Sequence, residues 1–218
     1  MKPGLYQDLP FSEYLAVDAL SSSGIKKLLR SPAHYQEWKL NPPDPTPAML
    51  LGSAFHCLLL EPEVFQARFC VAPEVDRRTK AGKASWEAFV ASNDGKSVLT
   101  AEEMASITAM RDSAMRLATV EALVGTRETE LSIFWDDPEF GFPCKARLDL
   151  RCAILPGIVD VKTCEDASPD GFGRQCWNLG YDIQAAHYSA GAATVGWGDH
   201  NFYFLAVEKK PPYLAAVY

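Results

Sequence analysis

The stretch Cys144-Lys145-Ala146-Arg147-Leu148-Asp149-Leu150-Arg151-Cys152 alternates apolar and charged residues without a break. A period of two belongs to a β-strand buried on one side. One face then carries Cys144, Ala146, Leu148, Leu150 and Cys152, and the other Lys145, Arg147, Asp149 and Arg151. Thr129–Trp135 and Ile158–Thr163 also read as strands, set off by Asp137-Pro138-Glu139 and Pro156-Gly157. Together they predict a three-stranded meander. A hairpin turning about Ile154-Leu155 sets Asp149 directly opposite Asp160, with Cβ atoms roughly 4.5–5.5 Å apart. A turn on Pro156-Gly157 offsets them by two pairs and keeps the face. The preceding hairpin, closing near Asp137–Phe140, sets Glu130 opposite Arg147 or Asp149. Lys162 follows Asp160 by two residues, so parity gathers Glu130, Asp149, Asp160 and Lys162 on one sheet face.

Facing carboxylates repel unless something positive lies between them. Carboxylates without thiols suit a hard cation such as Mg²⁺ or Mn²⁺. Such an ion polarises a phosphodiester and acidifies an attacking water, and a lysine beside it orients that water or stabilises phosphate charge. The plain alternative is a solvated sheet face laced with weak ion pairs.

Outward from the meander, the N-terminal half reads as helical. Ser21 caps one helix and Ser31-Pro32 starts another. The stiff linker Asn41–Pro47 precedes a helix over Ala48–Leu60. A basic segment, Asp76–Lys83, leads into a helix around Trp86 and Phe89, and one long helix is expected from Glu102 to about Val124. After the meander come a helix over Tyr181–Val195 and strands at Asn201–Val207 and Pro212–Tyr218. The class is α/β: a mixed central sheet in β-β-β-α-β order with a largely helical N-terminal half. Residues 1–218 are read as one domain, 1–125 mainly helical and 126–218 the sheet core.

Composition sets the outer limits. The chain has 218 residues, 48 % hydrophobic and 22 % charged, which excludes disordered and collagen-like classes. A chain of this length buries about 70 % of its unfolded surface without staples. The net charge of −7 argues against coating nucleic acid by bulk charge, although a local metal cage can invert the field where it matters. No apolar run reaches the about 20 residues of a membrane span. None of the six cysteines forms a C-x-x-C pair, so reduced thiols, a cytoplasmic setting and no iron–sulfur cluster are expected. No Walker A pattern is present, so no ATP dependence is expected.

Asp149 followed by Asp160-Val161-Lys162, with Glu130 ahead and a helix behind, resembles the signature of the PD-(D/E)xK nuclease superfamily. Gly52-Ser53-Ala54-Phe55-His56 resembles the G-x-x-x-H helix of its RecB-like branch. Gln184 and Tyr188 resemble the branch's Q-x-x-x-Y helix. Leu20-Ser21-Ser22-Ser23, Ser31-Pro32, Asp76-Arg77-Arg78-Thr79-Lys80 and Glu130-Leu131-Ser132 resemble the exonuclease VIII (RecE) nuclease type, and λ exonuclease more distantly. The resemblance covers nearly the whole chain, and relatives of this type run on with helical sequence past Tyr218.

The resemblance implies that His56, Asp149, Asp160 and the Val161 carbonyl hold Mg²⁺, with Mn²⁺ able to substitute. It gives Lys162 the nucleophilic water and Glu130 a second metal or a water. Gln184 and Tyr188, one turn apart on a helix, share a face that could orient Lys162 or the DNA strand. Read from local basic charge rather than from the resemblance, Arg77 and Arg78 beside Trp86, and Lys145 and Arg147 beside Asp149, are candidate DNA contacts, the plain alternative for the Arg77–Arg78 run being a solvated loop. The implied activity is ATP-independent 5′→3′ exonuclease action on linear double-stranded DNA ends in phage-type recombination. The implied partners are a RecT-like single-strand annealing protein and further copies of the chain in a ring, with no membrane. The rival readings are a non-catalytic DNA-binding or assembly module on the same fold and an endonuclease of the same superfamily.

Overall fold

A computed structural model describes residues 1–125, 127–152, 157–198 and 200–218, without the side chains of 123–125 and 127. In chain order the elements are β1 (Gly4–Tyr6), α1 (Phe11–Ala16), α2 (Ser22–Leu28), α3 (Pro32–Leu40), α4 (Pro47–Leu60) and, after a 3₁₀ turn, α5 (Phe65–Arg68). Then come β2 (Phe69–Val71), α6 (Lys80–Ser92), β3 (Ser97–Leu99), α7 (Ala101–Met115), α8 (Ala118–Gly125) and β4 (Arg127–Asp136). The core closes with β5 (Pro143–Cys152), β6 (Gly157–Cys164), α9 (Pro169–Leu179), α10 (Tyr181–Thr194), β7 (Asn201–Glu208) and β8 (Ala215–Val217).

Local chemistry sets the helix starts. Ser21, Ser31, Thr46, Thr79, Thr100 and Ser168 each accept a first-turn backbone N–H, and Pro32, Pro47 and Pro169 stand at first positions. Three expectations are corrected. The single helix after Glu102 is two, broken at Arg116-Leu117, where i→i−3 hydrogen bonds tighten the turn and the restart buries Val120. A helix at Pro169–Leu179 was not expected, because Gly171 and Gly173 in its first turns mask the Ser168-Pro169 start. The sheet is also not confined to 126–218: β1 pairs with β4 from the N-terminus, and β2 and β3 form a small parallel sheet of their own.

The main sheet runs β1-β4-β5-β6-β7-β8. Among the described strands of this sheet only β6 and β7 pair in parallel, joined through α9 and α10, so the sheet is mixed. Helices cover both faces. On one, Phe55 of α4 and Ile107 and Met110 of α7 pack on Leu150, Val159 and Val161. On the other, Tyr188 and Ala192 of α10 pack on Leu131, Ile133, Ala146, Leu148 and Ile158. That layer is close: a Cβ on Gly191 would come within 2.7 Å of the Trp135 ring. Among the described residues, no single helix is long and apolar enough to cross a membrane.

The alternation on β5 is broken at Asp149. Leu148 joins the α10 layer, whereas Leu150 and Cys152 join the α4–α7 layer. Arg151 accordingly lies opposite Ile158 and stacks on Trp197, on the α10 side, away from Arg147. The ladder with β4 shows the same interruption: Leu131 pairs with Leu148 and Thr129 with Leu150, but Glu130 and Asp149 between them do not pair. Glu130 has a φ of 54°, left-handed backbone inside a strand.

Candidate active site

Below that break the strands β5 and β6 part. Their described pairs are Leu150↔Val159, Arg151↔Ile158 and Cys152↔Gly157, a register that sets Asp149 across from Asp160, the first of the two alternatives. The Ile154-Leu155 turn itself lies outside the described residues. Asp149 Oδ2 takes the place of a ladder carbonyl and accepts from the Val161 N–H at 2.7 Å. His56 reaches in from α4, its Nδ1 3.6 Å from the same oxygen.

Asp160 turns the other way, which corrects the expectation that all four groups share one face. It is 1 % exposed, and Gln184 of α10 donates to its Oδ1 at 2.7 Å. Its Oδ2 forms an ion pair with Lys162 without a well-aligned hydrogen bond. The Lys162 ammonium lies 4.8 Å from the Tyr181 ring centroid. Tyr188, one turn further along α10, is buried between that helix and the sheet. Asp149 and Asp160 therefore approach across the strand gap from opposite faces, with Val161 between them.

The electrostatics follow from burial. Desolvation pushes Asp160 up to about 6, with Asp149 adding to the rise and Lys162 opposing it. Asp149 and Glu130 are raised for the same first reason. Burial, then the Lys162 charge, lowers His56 and holds it neutral at pH 7. For Lys162 the desolvation that would lower it is outweighed by Asp160 and Asp149, so it stays an ammonium.

The remaining predicted site residues divide. Glu130 is held by Arg147, Nε to Oε2 at 2.6 Å, while Arg147 Nη1 donates to the Leu9 carbonyl and Ser132 Oγ. Lys145 is not placed to touch DNA: it is 7 % exposed and donates to the carbonyls of Tyr14, Leu15 and Val17 at 2.7–3.2 Å. Arg147 is spent on three partners, and Tyr188, largely buried, lines the cavity with only its edge. Arg77 stacks on Trp86, and Arg78 forks onto Asp76, on an exposed loop away from this centre. Gly52 is not required by close approach, since a Cβ there would meet only Thr163 Oγ1 at 4.0 Å. The sequence reading did not single out Tyr181, although it stands three residues before Gln184 on the same helix face. It also missed Glu61, clamped by Arg68 at the cavity wall, for which the sequence carries no signal.

His56, Glu130, Asp149, Lys162 and Tyr181 open onto a cavity of about 1660 Å³, whose rim carries Phe11, Tyr35, Trp38 and Met49. The donor set fits a hard divalent cation. Asp149 adds to the rise of the buried Asp160, Oδ2 of Asp160 has the Lys162 ion pair but no aligned hydrogen bond, and a neutral imidazole stands beside Asp149. Among the described residues, no three His, Cys, Asp or Glu side chains already converge on one point; Lys162 occupies the negative side of Asp160.

Residues 21–218 match the family described as PDDEXK-like domain of unknown function (DUF3799). No curated protein matches. Among solved structures, a "putative exonuclease" from Eubacterium rectale superposes with a TM-score of 0.65 at 16 % identity, over 98 % of this chain and 78 % of that one. At that identity the likeness speaks for the fold, which agrees with the motif order on β4, β5 and β6. The chain belongs to the PDDEXK-like domain family.

Proposed function

We propose that the chain is a metal-dependent deoxyribonuclease that hydrolyses DNA phosphodiesters. The observation that carries this reading is the buried pair Asp149 and Asp160, flanked by His56 and Lys162, with His56, Asp149 and Lys162 on the wall of a large cavity. A divalent ion held by His56, Asp149, Asp160 and the Val161 carbonyl would polarise the phosphodiester and acidify water there, Mg²⁺ being the expected ion and Mn²⁺ a substitute. Lys162, kept protonated by Asp160, orients the attacking water and neutralises charge gathering on the phosphate. Gln184 fixes the Asp160 carboxylate. The aromatic rim of Phe11, Tyr35 and Trp38 suits stacking of unpaired bases. The exposed loop of Arg77, Arg78, Lys80 and Lys83 suits phosphates further along the strand.

The finer reading is an ATP-independent 5′→3′ exonuclease on linear double-stranded DNA, working in the cytoplasm in phage-type recombination. It includes a RecT-like annealing partner and a ring of several copies. Its support is the RecE-like motif order together with the exonuclease description of the Eubacterium rectale protein. The test uses end-labelled linear duplex and covalently closed circular DNA with Mg²⁺ and no ATP. Release of 5′ mononucleotides from the linear form alone is expected. Cutting of the circle makes it an endonuclease, and binding without cutting makes it a DNA-binding module.

A further inference from the structure

We infer that Glu130 is a positioning residue that acts through its backbone: its left-handed turn in β4 sets Asp149 in the gap between β5 and β6. A φ of 54° is uncommon for any residue but glycine, and inside a ten-residue strand it persists only where the surroundings enforce it. Here they do. The Glu130 carboxylate is pinned by Arg147, which is itself anchored on the Leu9 carbonyl and Ser132.

The effect is read on the partner strand. Leu131↔Leu148 and Thr129↔Leu150 keep one register, so no residue is inserted; only the pair between them leaves the ladder. On one side of that pair Leu148 faces α10, and on the other Leu150 faces α4 and α7. Unbroken alternation would stack Asp149 on Asp160, Cβ facing Cβ. Asp160 keeps the α10 face that its own strand gives it beside Ile158 and meets Gln184, while the kink turns Asp149 to the α4 side, its Oδ2 on the Val161 N–H beside His56. Glu130 thus shapes the centre without its own carboxylate serving as a ligand. The inference rests on the reading of Asp149 as part of a metal centre.

The test separates backbone from side chain in protein free of DNA. Glu130→Gly and Glu130→Asn tolerate a left-handed backbone but lack the carboxylate, whereas Glu130→Val opposes it. Mn²⁺ affinity is followed by electron paramagnetic resonance, and melting is followed in EDTA. The Gly and Asn variants are expected to bind Mn²⁺ close to wild type, and the Val variant about ten- to a hundred-fold more weakly. Equal losses in all three would show that the carboxylate is what matters, and wild-type binding by the Val variant would show that the kink is not. Should the Val variant fail to fold, Glu130→Ala against Glu130→Gly decides. In a regular strand Gly is the worse of the two, and here it is expected to melt higher. Ala melting at or above Gly overturns the inference. Should wild type not bind Mn²⁺, the metal reading fails, while the melting order still judges Glu130.

Discussion

Lys162→Met removes the ammonium from beside two buried carboxylates while keeping most of the packing volume. With Lys162 present, burial already lifts Asp160 from its ordinary 3.8 to about 6. At about 1.4 kcal/mol per unit, ionising it costs the metal-free fold roughly 3 kcal/mol at neutral pH. The sign follows from the raised folded value. Stability is greatest below the unfolded value and is lost as pH climbs from about 4 to about 6. Taking the cation away adds the cost of a broken buried pair, about 3–5 kcal/mol. For a chain this long that is a fall in melting temperature of roughly 6–20 °C. The fall belongs to pH 8, well above the Asp160 value of about 6; at pH 5 Asp160 is protonated and its share of the pairing is gone, so the loss shrinks to about 1 kcal/mol. Circular dichroism melts in EDTA at the two pH values measure it, and saturating Mn²⁺ at pH 8 should return about 2.7 kcal/mol at a hundred times its dissociation constant. A loss of equal size at pH 5 and pH 8, or none at pH 8, refutes the electrostatic account.

Lys145→Met strands the carbonyls of Tyr14, Leu15 and Val17, and chemical denaturation should show a loss of about 3 kcal/mol or more with DNA cleavage retained by the folded fraction. Gln184→Leu leaves Asp160 Oδ1 unpaired in a dry setting; unfolding titrations should register about 1–3 kcal/mol, and Mn²⁺ affinity should fall as well. The thiols of Cys57, Cys144 and Cys164 are buried and raised to about 11, so native protein should show fast labelling of Cys70 and slower labelling of Cys176, with all six reacting after denaturation. Arg77→Glu combined with Lys83→Glu should weaken duplex binding in EDTA and flatten its salt dependence by about two charges, read by fluorescence anisotropy, without moving the melting temperature.

The sequence made the strands of the central meander and their order legible, and narrowed the Asp149–Asp160 register to two choices, because alternation and turn chemistry act over a few residues. Capped starts such as Ser21 and Ser31-Pro32 were legible for the same reason. What escaped depends on partners far along the chain. Lys145 reads as an outward charge until the carbonyls near the C-terminal end of α1, about 130 residues earlier, are folded over it. The change of face at Asp149 hinges on the backbone of Glu130, and a glutamate carries no outward sign of a left-handed turn. Gln184 and Tyr188 were recognisable as a helical i,i+4 pair, but that Gln184 holds Asp160 from behind required knowing that α10 covers the face opposite α4.

The central claim is that Asp149, Asp160 and Lys162 form one hydrolytic centre. Single-turnover cleavage of a linear duplex in Mn²⁺ by wild type, Asp160→Asn and Lys162→Met, each checked as folded, tests it most directly. The account predicts cleavage by wild type, none in EDTA, and rates lower by about a thousandfold in both variants. Intact DNA with the wild-type protein, or variants that cut at the wild-type rate, would contradict it.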